Sequence, residues 1–179
     1  MTRPFPIVSK EDSQGNRRLF HLALLTSAAL ILFLIELRLP PLFPIPGAKL
    51  GLANIVTVYA VYRFPPAQAL LMLLTRIFLG TFFAGQLTVL FYSLSGGLCC
   101  FAVSFCLRSM ISENRLPLAS AAGAVSHNTG QLAAAALLFG TPAVLAWYPY
   151  LLGAGLITGL FTGLCARQVL RRLSLSSDQ

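Results

Sequence analysis

The sequence predicts an all-α membrane protein, a six-transmembrane-helix bundle with both termini on the cytoplasmic side. Three observations predict it. Hydrophobic residues make up 56% of the 179 positions and charged residues only 10%, against about a quarter charged in soluble domains, and mean hydropathy is +0.77. The chain divides into six apolar segments separated by charge clusters and Pro/Gly breaks. Its basic residues fall mostly on one side of that division. The net charge of +8 does not indicate nucleic acid, because the charges sit at segment boundaries and not on one face of a polar domain. About six spans and two tails use up the length and leave no separate catalytic domain.

Residues 1–18 read as a basic cytoplasmic tail ending in Arg17-Arg18, residues 19–167 as the transmembrane domain, and residues 168–179 as a cytoplasmic C-terminal tail. The apolar run after Arg18 is too long for a cleaved signal peptide and continues into further spans, as a signal anchor does. The spans run from Phe20 to Leu39, Leu50 to Tyr62, Pro66 to Ala84, Leu87 to Leu107, Leu118 to Phe139 and Leu145 to Ala166. Crossing about 30 Å of hydrocarbon takes about 20 residues. The second segment, with 13 residues, must therefore recruit the preceding loop or lie tilted inside the bundle. That loop holds four prolines between Pro40 and Pro46 and cannot continue a helix. It reads either as a stiff connector or as a cap over an outward-facing cavity.

Orientation follows from charge. With both ends inside, the cytoplasmic side carries ten basic residues (Arg3, Lys10, Arg17, Arg18, Arg63, Arg108, Arg115, Arg167, Arg171, Arg172) and the outer side Arg38 and Lys49, a positive-inside pattern. Gly155, Gly159 and Gly163 recur on one face of the last span, spacing that lets helix backbones approach closely in lipid. Packing within the bundle and a homo-oligomer seam are both open readings. Ala23 and Ser27 form a weaker small-residue pair. Cys99, Cys100, Cys106 and Cys165 lie in or beside apolar runs without metal-site or disulfide-framework spacing.

Polar groups at membrane depth are costly and usually face the bundle interior or a watery cavity. Glu36, Arg38, Lys49, Asn54, Arg76, Gln86, His127, Asn128 and Gln131 are such groups. A rise of about 1.5 Å per residue places Arg76, His127 and Asn128 near the midplane and Glu36 and Asn54 closer to the outer surface. His127 and Gln131 share a helix face. Glu36 is the one acid in the outer half available to Arg38, Lys49 and Arg76, so a surplus of positive charge points to an anionic or electron-rich small ligand. Snorkelling to headgroups is the competing account of Arg38 and Lys49. The substrate-binding candidates are Lys49, Asn54, Arg76, His127, Asn128, Gln131 and Glu36.

No GxxxxGK[ST] phosphate loop and no HExxH occurs. The only aspartates, Asp12 and Asp178, lie in the terminal tails, which argues against Ser/His/Asp catalysis and against Mg²⁺-assisted diphosphate chemistry. The expectation is a transport or accessory subunit and not an enzyme, with no metal and no cofactor. Assembly scaffolding, with the polar residues merely bridging helices, is a third reading.

The string Pro46-Gly47-Ala48-Lys49-Leu50-Gly51-Leu52-Ala53-Asn54-Ile55-Val56, together with Ser126-His127-Asn128-Thr129-Gly130-Gln131, resembles the bacterial Gx transporter family, also catalogued as heptaprenyl diphosphate synthase component I. The likeness extends from about Phe20 to Arg167. That family in turn looks like the substrate-binding S components of energy-coupling-factor transporters, six-helix proteins with an outward pocket beneath the loop between the first two helices. The resemblance implies a multi-pass protein of the bacterial cytoplasmic (inner) membrane, partnered by a transmembrane coupling protein and ATPases. It equally implies an accessory role in isoprenoid-quinone synthesis or flavin-linked electron transfer. Where S components present an Ala-x-x-x-Ala face to the coupling protein, this chain has Ala23 and Ser27. The preferred reading is capture of a small solute in an outer-half pocket, driven by ATPases or by an ion gradient with His127 as proton carrier. The alternative is a non-catalytic accessory protein for prenyl-diphosphate or quinone synthesis. Capture predicts an enclosed polar cavity, prenyl handling an apolar groove, and scaffolding a filled interior.

Overall fold

A computed structural model describes residues 10–38, 51–140 and 142–177. They form six α-helices: α1 (Lys10–Arg38), α2 (Leu52–Arg63), α3 (Pro66–Ala84), α4 (Leu87–Arg108), α5 (Leu116–Phe139) and α6 (Tyr148–Ser177). Short 3-10 turns at Glu113–Arg115 and Pro142–Trp147 lead into α5 and α6. No strand occurs among the described residues.

Proline and glycine punctuate the bundle. Phe64, ahead of Pro65, is extended (φ −111°, ψ 161°), as the clash with the following ring requires. Pro66 then opens α3, where a missing N–H costs nothing. Gly85 ends α3 in the left-handed region (φ 68°), its N–H donating to the carbonyls of Thr81 and Phe82, the glycine-closed helix end. α1 and α6 are longer than their apolar stretches. They begin and end at Lys10 and Ser177, so the expected tails are helical over 10–18 and 168–177. No proline interrupts either stretch, and charged residues sustain a helix well.

Among the described residues, four helical stretches are long and apolar enough to cross a membrane: Leu19–Arg38, Pro66–Ala84, Leu87–Arg108 and Ala143–Arg172. The protein is thus built as a multi-pass membrane protein. The other two helices differ for separate reasons. α5 has 24 residues, length enough, but the run from Ser126 to Gln131 dilutes its hydropathy. α2 has 12 residues and extends about 18 Å, short of the hydrocarbon thickness. It lies inside the bundle, packed on α1, α3, α4 and α6, with seven of its 12 residues buried. Leu24, Ile31, Leu71, Phe78, Leu98, Phe105, Ile157 and Phe161 point outward from the longer helices.

The most extensive pairings are α5 with α6 and α4 with α5, and small residues make both. A Cβ on Gly159 would lie 2.5 Å from Ala121 Cα, and one on Gly163 would lie 2.6 Å from Pro117 Cα. The Ser120 and Thr162 hydroxyls bond across the same seam at 3.0 Å. Gly155, Gly159 and Gly163 are buried against α5 of their own chain. This corrects the homo-oligomer reading of that stripe: the face is already filled. Ala23 and Ser27 are exposed on α1. At one end of the bundle Arg108 donates to Phe64 O at 2.9 Å, and Arg167 and Arg171 donate to Asn114 at 3.3 and 2.7 Å. Arg63 and Arg115 share that end. Phe82, Phe83, Phe139, Trp147 and Tyr150 crowd the other.

Candidate functional site

Six of the seven expected site residues line one chamber of about 50 Å³: Glu36 from α1, Asn54 from α2, Arg76 from α3, and His127, Asn128 and Gln131 from α5. Lys49 lies outside the described residues. Gln86 and Arg38 are exposed at helix ends and do not line the chamber. Phe33, Ser93, Thr158 and Thr162 complete much of the wall. The hydroxyls escaped notice because Ser and Thr on helices commonly bond their own backbone, as Thr158 does to Gly155 O and Thr162 to Gly159 O.

Each side chain is held by its element. Arg76 is 5% exposed and Glu36 8%. The guanidinium carbon lies 5.9 Å from the centre of the Phe33 ring, within cation–π range, and Arg76 Nε has no hydrogen-bond partner among the described residues. The Glu36 carboxylate accepts from the Gly51 N–H, which ties the end of α1 to the start of α2. It is also near enough to act electrostatically on Arg76. Asn128 Nδ2 donates to Leu151 O at 2.8 Å, so its amide braces α5 on α6. Gly96 of α4 makes room for the α5 pair. A Cβ there would lie 2.7 Å from Gln131 Cγ, 2.9 Å from His127 O and 3.0 Å from His127 Cε1.

A second, larger cavity of about 580 Å³ adjoins the chamber at the aromatic end of the bundle. Val89 and Tyr92 of α4, Leu132, Ala135 and Phe139 of α5, Val144 and Trp147 of the 3-10 turn, and Leu151 of α6 line it. Ser93 and Gln131 line both spaces. Sequence reasoning missed this cavity, because an apolar wall facing a void has the same composition as one facing lipid. Trp147, with Tyr148 and Tyr150 beside it, gave the one available signal, and it reads equally as an interfacial aromatic belt.

The arrangement suits binding. One carboxylate, from Glu36, faces the chamber among the described residues, too few to hold the Mg²⁺ that diphosphate chemistry uses. The apolar space is large enough for an organic molecule, and the polar chamber holds only a small group. No curated protein and no solved structure matches the chain. The family model for heptaprenyl diphosphate synthase component I matches residues 25–169, a span that takes in the walls of both cavities, and the chain belongs to that family.

Proposed function

We propose that the chain is a non-catalytic membrane subunit that holds an amphiphilic small molecule of isoprenoid metabolism, its apolar body in the larger cavity and its polar end in the chamber. The observation that carries this reading is that Ser93 and Gln131 line both a mostly apolar space and a neighbouring one lined by Glu36, Asn54, Arg76 and His127. A scaffold would fill its interior. A pocket for a fully polar solute would not adjoin an apolar cavity ten times its size. The family name supports the isoprenoid setting, and its word "component" supports a role beside other subunits. In the bilayer the arginine end lies at the cytoplasmic face. α2 and α5 complete a six-helix bundle, with the apolar spans around them supplying the lipid contact.

The convergence of polar groups from α1, α2, α3 and α5 on one chamber favours a second reading, substrate capture for a transporter of the energy-coupling-factor kind. Purification in mild detergent followed by mass spectrometry of bound small molecules tests the first reading. An isoprenoid amphiphile recovered from the wild type and lost on Leu132→Trp, which puts an indole into the larger cavity, is the expected result. A bound hydrophilic solute, with ligand-dependent uptake into proteoliposomes carrying the coupling partners, would instead establish the second.

A further inference from the structure

The charge and size of the chamber define the kind of head group it takes. Its described walls hold one buried cation, Arg76, and one buried carboxylate, Glu36. The two charges offset each other. Against these two described charges, an anionic head would leave a net negative charge in a medium of low dielectric, which is costly. Space argues the same way. About 50 Å³ is on the scale of one or two waters, enough for a carbonyl or carboxamide and too little for linked phosphates. The remaining equipment is amide-rich. Asn54 and Gln131 each carry donors and an acceptor, and Arg76 Nε is a buried donor with no partner among the described residues.

We infer that the chamber recognises the uncharged carbonyl-bearing head of an amphiphile, with Arg76 donating to the carbonyl oxygen and Asn54 and Gln131 meeting the rest of the head. This rests on the ligand-holding role proposed above and departs from the diphosphate in the family's name. Glu36 then sets selectivity, because its carboxylate cancels the cation that would otherwise draw anions.

The chain has one tryptophan, Trp147, and it lines the larger cavity, so intrinsic fluorescence reports occupancy. Three probes with the same geranyl chain separate the possibilities: geranamide, geranate and geranyl diphosphate, titrated into the full chain in lipid nanodiscs. Geranamide should bind about tenfold more tightly than either anion, the scale of one hydrogen bond to a charged donor. Glu36→Gln, which keeps an acceptor for the Gly51 N–H, should reverse the order and bring geranate up about tenfold. Arg76→Gln should weaken geranamide about tenfold, and Arg76→Lys should restore part of that loss. Geranate or geranyl diphosphate binding the wild type as tightly as geranamide would overturn the inference while leaving the ligand-holding role intact. Should neither variant fold, the wild-type ranking decides alone. Silence of Trp147 toward all three probes would overturn the ligand-holding role, and the inference with it.

Discussion

Gly96 shows how a position without a side chain shapes the chamber. Replacing it with alanine puts a methyl 2.9 Å from the His127 carbonyl oxygen and 2.7 Å from Gln131 Cγ. The carbonyl belongs to the α5 backbone and cannot swing aside. Gly96→Ala should therefore cost about 1–3 kcal/mol, the usual range for overpacking, and push Gln131 into the chamber. Thermal unfolding in detergent checks the first effect and Trp147 titration the second. Gly153→Ala is the control: its Cβ would meet nothing within 4 Å and should be neutral or mildly stabilising. Asn128→Ala removes the bond to Leu151 O. Interhelical bonds in membranes average about 0.6 kcal/mol, so a loss on that scale is expected in thermal unfolding. At this scale the sequence was informative wherever the physics is harsh. Glu36, Arg76 and His127 stood out because a polar group in hydrocarbon needs a reason. Ser93, Thr158 and Thr162 did not, since a hydroxyl can satisfy itself on its own helix.

Helix boundaries were readable where a residue forces an ending. α3 spans Pro66–Ala84, the stretch between Pro65 and Gly85, because proline opens a helix and left-handed glycine closes one. α1 and α6 overran their expected limits, since a fall in hydropathy marks the edge of a bilayer and not the end of a helix. The glycines of α6 carried two meanings in sequence and one in the fold. With Gly159 2.5 Å from Ala121 Cα as measured from an added Cβ, the two backbones nearly touch. Gly159→Leu should thus separate α5 from α6 and destabilise the protein by several kcal/mol, about 2–5 on the scale of large core changes. The particle mass in detergent, measured by light scattering, should not change between wild type and the milder Gly159→Ala. A mass that halves on Gly159→Ala would return the stripe to a dimer seam.

The direction of each helix follows from its ends, and this ties the whole molecule to the membrane. α2, α4 and α6 finish at the arginine end and α5 starts there, with Arg167 and Arg171 bonded to Asn114 just ahead of α5. The α3–α4 link at Gly85 and Gln86 and the turn before α6 then lie together at the aromatic end. That places both cavities toward the aromatic end of the bundle. On the proposed orientation, with the arginine end inside, the proposed ligand is received from outside. Replacing the four native cysteines by alanine and introducing Gln86→Cys, Ala146→Cys or Ser112→Cys singly makes the arrangement measurable in intact cells with a membrane-impermeant maleimide. Both Gln86→Cys and Ala146→Cys should label from outside, and Ser112→Cys only after permeabilisation. The opposite pattern would invert the orientation and open the cavities to the cytoplasm. Labelling of Gln86→Cys but not Ala146→Cys would mean that α5 fails to cross, and the six-helix bundle would then be wrong in its most polar member.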